Sequence, residues 1–547
     1  MRPYRYVTVY ESGSRFYVVG SEASENKYAV LKIDRTEHRS LTLSDGGHLY
    51  SRSELTELLA MLTDASIAGP TSAQKPVDRK SKASPPGLTE KITKAYGLIG
   101  VVRFLEGYYM IFVTKATVVA HFGYHKIYKI EDVSMLYLPS GTNANADDQR
   151  YLKLFQSVDL TTNFYFSYSY DLSRTLQENS VGVKMDTIPA PEKKFVWNNY
   201  LLEPLKEKDV SERWMLRIVH GYVGQTTIEL PAAKLSLTLI ARRSSEFAGT
   251  RFLKRGANLK GSVANDVETE QIVWEVTSSP NVLVGKFTSF VQRRGSVPLI
   301  WSQDPANRPP VVMGKPPPIH FDIHEPFATT AACHFRDLRN KYGNPLVVIN
   351  LVKRREKRRH ESILHDQLVK AISYLNQFVA PNAAILYLSF DVARCNKLGS
   401  VMPKLEEIGY NAIVKQGWFQ SFPALYCHTV RPSAILAEYK PNVSADGRFL
   451  LQRGLSRTNC VDCLDRTNVT QFVIGKVALG CQLYSMGFID EPHLPLQSQT
   501  CRVFEELYEE HGDTLALQYA GSQLVHSIKT YKKTAAFQVS SLSFFVL

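Results

Sequence analysis

Cys460 and Arg466 are the residues of this chain whose types and spacing point most directly to chemistry. Five residues separate them inside Arg457-Thr458-Asn459-Cys460-Val461-Asp462-Cys463-Leu464-Asp465-Arg466-Thr467-Asn468. That interval suits a tight loop lined by Asn459, Val461, Cys463, Leu464 and Thr467, whose backbone N–H groups close on a tetrahedral anion while Arg466 forks onto two of its oxygens. A thiolate at the base of such a cradle attacks phosphorus in line, and water then hydrolyses the cysteinyl-phosphate, so one hard displacement becomes two easier ones. Cys460 is the expected nucleophile, and Arg466 holds the equatorial oxygens through both steps. The mechanism requires no metal; magnesium would enter through the charge of the substrate.

The elements that must position these groups follow from the flanking sequence. Val469, Phe472, Val473, Val477 and Leu483 recur near helical spacing with Asn468 available as a cap, so the loop is expected to open onto a helix N-terminus. The partial positive charge there favours a thiolate and a phosphate alike, and with Arg466 it should draw the Cys460 thiol below its ordinary range. Asp462 and Asp465 push the other way. At least one of them is therefore expected to be protonated or turned away to bond loop amides. Asp462 is assigned to general acid chemistry on the leaving oxygen and Asp465 to the shape of the loop. Cys460 and Cys463 also form a C-x-x-C, half of a zinc site or a redox pair, but the remaining cysteines supply no second C-x-x-C.

A chain of 547 residues outgrows one hydrophobic core, since single cores stop growing near ~250–300 residues, so two or more domains are expected. A hydrophobic content of 44% with 21% charged residues describes a globular protein, and the net charge of +13 favours an anionic partner. Seven irregularly spaced cysteines make no disulfide framework and point to a reducing compartment. The N-terminus lacks an apolar signal segment, and no run approaches the ~20 apolar residues that span a bilayer, so a cytosol-facing, peripheral protein is expected.

Residues 4–10, 15–20 and 28–33 read as short antiparallel strands, followed by a helix on Leu55, Leu58, Leu59 and Leu62 behind a Ser51 or Ser53 cap. The Pro-, Ser- and Lys-rich stretch 63–90 reads as a flexible loop. Leu98 to Phe104 and Tyr108 to Val113 form a hairpin turning at Glu106-Gly107, and Phe164, Phe166, Tyr168 and Tyr170 share one face of a strand as a core stripe. Beyond about residue 180 apolar strands alternate with helices. Val347 to Val352 and Ala383 to Phe390 read as central strands covered on both faces, and Phe449-Leu450-Leu451 as the approach to the Cys460 loop, at the carboxyl edge where open α/β sheets bind ligands. The expected fold is α/β, α+β overall, with an N-terminal mixed-sheet subdomain at 1–180, a catalytic subdomain at 181–535 and a divergent tail at 536–547. Two basic features are candidates for phosphate or anionic lipid: Lys353 and Arg354, opening the run Lys353 to His360, and the pair Arg293 and Arg294. There is no P-loop G-K-[ST], no H-E-x-x-H and no dinucleotide fingerprint, which leaves nucleotide and metalloprotease chemistry, and nucleic acid as a partner, without support.

The twelve residues R-T-N-C-V-D-C-L-D-R-T-N resemble the active-site signature of the SAC family of phosphoinositide phosphatases. Phe164 to Leu172, Ala248 to Gln271 (with A-G-T-R and V-E-T-E-Q), Gln292 to Gln303 and His511 to Ser522 resemble that family too, so the likeness runs over nearly the whole chain. Val7 to Glu37 is most similar to the endolysosomal branch of the family. That resemblance implies removal of the 5-phosphate of phosphatidylinositol 3,5-bisphosphate at endosomal, lysosomal or vacuolar membranes. It also implies a scaffold role beside a FYVE-domain phosphoinositide kinase and a HEAT-repeat scaffold protein. A protein-tyrosine phosphatase is the third reading, since the same cradle accepts a phosphotyrosine. The resembling phosphatases continue beyond the equivalent of Leu547, so a shortened isoform, a fragment or a gene-prediction artefact is expected.

Overall fold

The alternating runs at the start of the chain pair with one another. In the computed structural model, which describes residues 2–13, 15–36, 40–67, 88–105, 107–138, 146–184, 190–231, 233–303, 319–323, 325–356, 361–397, 401–422, 433–532 and 545–546, they form β1 (Tyr6–Ser12), β2 (Arg15–Ser21) and β3 (Tyr28–Asp34). With β4 (Thr42–Asp45) and β5 (Thr89–Ala95) these make a five-stranded sheet of order β4-β3-β2-β1-β5. Helix α1 (Arg52–Ile67) starts from a capping box in which Ser51 N–H donates to Glu54 at 2.7 Å and Glu54 N–H to Ser51 Oγ at 3.4 Å. The expected loop over 63–90 is narrower at both ends, because α1 runs on to Ile67 and β5 begins at Thr89; residues 68–87 lie outside the described residues.

Next come β6 (Gly97–Arg103), β7 (Tyr108–Phe122), β8 (His125–Leu138), α2 (Ala146–Gln156) and β9 (Phe164–Phe166), the strands lying in the order β6-β7-β8-β9. The predicted hairpin is β6 with β7, although its turn residue Glu106 lies outside the described residues. The aromatic stripe leaves the strand after Phe166, yet it is core: Phe166 stacks on Tyr128 with centroids 5.2 Å apart, and Tyr168 Oη donates to the Tyr96 carbonyl. Helices α3 (Leu176–Lys184) and α4 (Asn199–Lys206) follow. The chain divides into two compact units, one of Met1–Val119, His125–Leu172 and Val196–Val219, the other of Ala120–Tyr124, Ser173–Phe195 and His220–Leu547.

The second unit opens with a meander of β10 (Val219–Leu230), β11 (Ala233–Arg243), β12 (Val267–Glu275) and β13 (Phe287–Ser296), antiparallel throughout. A two-stranded pair, β14 (Trp301–Ser302) with β15 (His320–Phe321), precedes α5 (Thr329–Tyr342), β16 (Leu346–Asn350), α6 (Glu361–Asn376), β17 (Leu386–Ser389), α7 (Val392–Lys397), α8 (Val401–Gln416) and β18 (Phe419–Gln420). Then come β19 (Leu455–Cys460), α9 (Asp465–Ser485), α10 (Gln499–Ala520) and β20 (Phe545–Val546). The strand order is β20-β17-β16-β19-β13-β12-β11-β10, and β17, β16, β19 and β13 run parallel.

Alternation along β16 explains the two layers. Val347 and Ile349 pack with Leu405, Ile408, Phe472 and Phe504 of α8, α9 and α10, while Leu346 and Val348 pack with Phe335, Leu338, Leu364 and Leu368 of α5 and α6. The predicted central strands are therefore β16 and β17, each shorter than its apolar run. The fold is the expected α/β class, α+β overall.

Candidate functional site

The strand that delivers Cys460 is not the apolar run Phe449 to Leu451 but β19 itself, whose sequence Leu-Ser-Arg-Thr-Asn-Cys is mostly polar and wholly buried. Such a strand survives inside a sheet because its side chains are largely bonded. Arg457 donates to the carbonyls of Gly295 and Ser296 at 2.7 Å each, and Ser456 Oγ donates to Gln416 Oε1 at 3.1 Å. Parallel pairing on both sides, with Ser296 opposite Cys460 and Asn350 opposite Asn459, fixes the nucleophile candidate at the carboxyl edge of the sheet.

Helix α9 begins at Asp465, so Asn468 does not cap it. Asn468 sits in its interior, donating from Nδ2 to Tyr508 O at 3.0 Å, and Leu464 occupies the cap position with no side-chain bond. The helix is buried on all sides from Thr467 to Ser485, which is why a single apolar stripe describes it poorly. Between strand and helix, Cys463 adopts a left-handed φ of 53°. Among the described residues, the N–H groups of Val461, Asp462 and Leu464 donate no hydrogen bond, and that of Cys463 donates to the Cys460 sulfur. Three free amides beside a helix N-terminus favour an anion.

Arg466 lies in the first turn of α9 and is held by α6. Its Nη1 donates to Glu361 Oε2 at 2.9 Å and to Leu351 O at 3.0 Å, and its Nη2 to Glu361 Oε1 at 3.2 Å. The end of the guanidinium is thus occupied, while its side edge, Nε with the second Nη2 hydrogen, makes no bond among the described residues. Burial raises the Glu361 carboxyl, but Arg466 outweighs it and holds the group below its usual range. Cys460 stands with its thiol pushed up by burial, opposed by Arg466 and reinforced by Glu361. The lowering expected from the helix N-terminus and Arg466 is thus overturned: burial of the sulfur outweighs it and leaves the thiol raised. Cys463, whose Sγ donates to Cys460 O at 3.4 Å, is pushed up to about 12, again by burial first.

Both loop carboxylates point outward, which resolves their electrostatic conflict with an anion. Asp462 pairs with Arg255, from the segment between β11 and β12, and Asp465 Oδ1 accepts from His526 N–H at 2.7 Å. Asn265 donates to the Asp462 carbonyl at 2.9 Å and is itself fixed by Arg243 at 2.7 Å. Asn459 is buried with its Oδ1 bonded by Arg457, Val461 is buried, and Thr467 is buried with no partner for its Oγ1 among the described residues.

The basic candidates separate. Lys353 approaches the site, its N–H donating to Glu361 Oε2 at 3.1 Å and its Nζ 3.9 Å from Oε1. Arg354 is exposed and faces His365 and Tyr387, and residues 357–360 lie outside the described residues. Arg293 and Arg294, expected as an open basic pair, are instead buried within β13, one on each face of the sheet. Arg293 is spent on Asp266 at 2.6 and 2.7 Å and on Tyr342 at 2.9 Å. Arg294 reaches Gln471 at 3.3 Å and lies near Cys463 and Cys460, so it acts on the loop through its charge rather than by contact with a membrane. Sequence reasoning missed Glu361, Arg255, Asn265 and Arg243. Their one signal was the family-like segment Ala248 to Gln271, which contains Arg255 and Asn265. Among the described residues no group of three or more His, Cys, Asp or Glu side chains could hold a metal ion.

The fold and the site define a mixed α/β protein with a cysteine at a central strand-to-helix turn and an arginine in the first turn of the helix. Residues 96–397 match the SacI homology domain, and the chain belongs to that family. It is 36% identical over 97% of its length to the polyphosphoinositide phosphatase of Schizosaccharomyces pombe, covering 60% of that protein. To the phosphatidylinositol-3-phosphatase SAC1 of Arabidopsis thaliana it is 34% identical over 94% of its length, covering 59%. To the phosphoinositide phosphatase SAC2 of the same plant it is also 34% identical over 94%, covering 66%. The chain thus spans about 60% of the length of the first two relatives. No helix among the described residues is long and apolar enough to cross a membrane.

Proposed function

We propose that the chain hydrolyses a ring phosphate of phosphatidylinositol phosphates, with Cys460 as nucleophile. The observation that carries this reading is the set of unpartnered amides of Val461, Asp462 and Leu464, with the Cys463 N–H turned to the Cys460 sulfur, beside the open edge of the Arg466 guanidinium. A phosphoryl group seated there accepts from the amides and from Arg466 Nε and Nη2, without displacing Glu361. The Cys460 sulfur attacks phosphorus as the bond to the inositol oxygen breaks, and that oxygen takes up a proton. In this reading Asp462, more than a third exposed at the mouth of the loop, supplies it in its protonated form, released from Arg255, and later takes one from the attacking water. Asp465, tied to His526, supports the loop. The names of the relatives support a phosphoinositide substrate, and the N-terminal likeness supports the 5-phosphate of the 3,5-bisphosphate. The test is phosphate release from each phosphatidylinositol mono- and bisphosphate alongside a phosphotyrosine peptide. Release from the 3,5-bisphosphate with the 3-phosphate left as product is expected; release from the peptide alone would refute the reading.

A further inference from the structure

The rim of the Cys460 loop carries a feature that catalysis does not use. Between Glu246 and Asp266 the sequence holds Arg251, Lys254, Arg255 and Lys260 and no acidic residue. Interleaved with these cations, Phe252, Leu253 and Leu259 stand 55%, 78% and 69% exposed. Val525, next to the His526 that bonds Asp465, is 80% exposed. Exposed apolar side chains at such density are uncommon on a surface that faces only water.

Both segments are fastened to the catalytic loop. Arg255 pairs with Asp462, and the N–H of His526, next to Val525, donates to Asp465. Arg251 N–H donates to Tyr519 O at 2.9 Å, and Tyr519 Oη donates to Lys254 O at 2.8 Å, which joins the segment to the end of α10. Nor is the exposure that of a loose loop. The N–H groups of Leu253 and Lys254 both donate to Thr250 O, at 3.0 and 2.9 Å. The neighbouring turn closes through Asn258 N–H to Ser262 O at 3.0 Å, with Asn258 Oδ1 accepting from Lys260 and Ser262 at 3.0 Å each. Two tight turns therefore present apolar tips on a fixed base.

We propose that these turns are a membrane-inserting rim, in which Phe252 and Leu253, with Leu259 beside them, enter the headgroup and acyl boundary of an anionic bilayer while Arg251, Lys254 and Lys260 meet its phosphates. The inference rests on the phosphoinositide reading of the Cys460 site and names the surface that reading requires. Charge complementarity selects the occupant. Arg255 is committed to Asp462, whereas Arg251, Lys254 and Lys260 form no ion pair among the described residues. Arg251 lies over the Phe252 ring at 5.1 Å and Lys254 over Phe247 at 4.8 Å, so cation and apolar group occupy one patch. Apolar tips ringed by Lys and Arg are the composition of an interfacial anchor. A rim seated in the bilayer also holds the mouth of the loop at headgroup depth, where a ring phosphate lies.

The experiment uses the whole chain and phosphatidylcholine vesicles with about 30% phosphatidylserine and no phosphoinositide. In L253W, the added indole should shift its emission to the blue on vesicles and be quenched by brominated acyl chains. F252S/L253S should bind the same vesicles about thirtyfold or more weakly, since each exposed apolar side chain removed forfeits its burial in the bilayer. Its turnover of phosphoinositide in vesicles relative to a short-chain water-soluble phosphoinositide should fall by about tenfold. An unshifted, unquenched L253W together with vesicle binding unchanged in F252S/L253S would overturn the proposal and leave a protein partner as the occupant. If the parent chain hydrolyses neither vesicle nor soluble substrate, the catalytic reading fails, while quenching of L253W still decides the rim.

Discussion

Replacing Glu361 with Gln should lower catalysis and raise the reactivity of Cys460 at the same time. Glu361 holds the end of the Arg466 guanidinium by two charge-assisted bonds of 2.9 and 3.2 Å, with both side chains about one-fifth exposed. A hydrogen bond to a charged group contributes about 1.5–3 kcal/mol, and an amide can replace only one of the two acceptors. A loss of about 2 kcal/mol in the orientation of Arg466 corresponds to a roughly thirtyfold fall in kcat/KM. The thiol should move the other way. The Glu361 charge raises Cys460, and its removal leaves Arg466 uncompensated, so the thiol titrates at lower pH. The other groups that Cys460 faces are unchanged by the substitution: Asp462 and Cys463 in the loop, Arg294 from β13 and Tyr531 near the C-terminal end. A shift of one unit raises the thiolate fraction about tenfold and, since a less basic thiolate is a weaker nucleophile, iodoacetamide alkylation at neutral pH about threefold. The assay is steady-state hydrolysis of a soluble phosphoinositide beside the pH profile of alkylation, with thermal unfolding to confirm the fold. Unchanged kcat/KM with an unchanged alkylation profile would refute the coupling.

Cys460→Ser should abolish turnover with thermal unfolding unaltered, whereas Cys463→Ser should keep most activity, because burial holds the Cys463 thiol near 12, far from a working thiolate; steady-state assays on both proteins check this. Asp266→Asn should destabilise the chain by about 3–5 kcal/mol in denaturant, since it leaves the buried Arg293 unpaired. The same site gives a pH dependence: burial raises the carboxyls of Asp266 and Glu268, but Arg293 for the first, and Lys341 and Arg242 for the second, outweigh it and hold both at about 2. Their stabilisation is full above the unfolded carboxylate values near ~4 and is lost as pH falls toward ~2. Acid unfolding followed by circular dichroism should therefore flatten in Asp266→Asn. Gly454→Ala should cost more than about 1 kcal/mol in the same measurement, because Gly454 has φ +88° and an added Cβ would lie 2.2 Å from Pro345 O.

Much of the architecture was legible because periodicity and burial agreed. The strands at 6–34, the β6–β7 hairpin and the two apolar parallel strands β16 and β17 all follow from runs of β-branched and aromatic residues. What misled was polarity inside the sheet. In β19, Ser456, Arg457, Thr458 and Asn459 read as loop by composition, and partners distant in sequence, Gly295 and Ser296 for Arg457 and Gln416 for Ser456, offset the burial of two of them. The same cause hid the true surroundings of Arg293 and Arg294, whose paired charges look solvated until Asp266 and Gln471 are placed beside them. Within the loop, residue types and spacing indicated Cys460 and Arg466, whereas Glu361 lies 105 residues from Arg466 and Arg255 lies 207 from Asp462. Neither distance leaves a mark on local composition. Position 468 failed for a different reason: an Asn before an apolar run reads as a cap, but the helix had already begun at Asp465.

The junction at Cys460 joins backbone of opposite character. Up to Cys460 the chain is bonded on both sides within four parallel strands, and beyond it the amides of Val461, Asp462 and Leu464 are unbonded among the described residues. Opening β19 means breaking the centre of the sheet, so its amides should exchange with solvent only at the rate of global unfolding, while those of Val461, Asp462 and Leu464 exchange as fast as solvent reaches them. The sulfur is thus anchored to the least yielding part of the molecule, and the groups meant to close around a phosphate lie just past that anchor. Adjustment to a ligand then falls to the loop, to Arg466 and to the partners that hold them, and the reacting atom keeps its place.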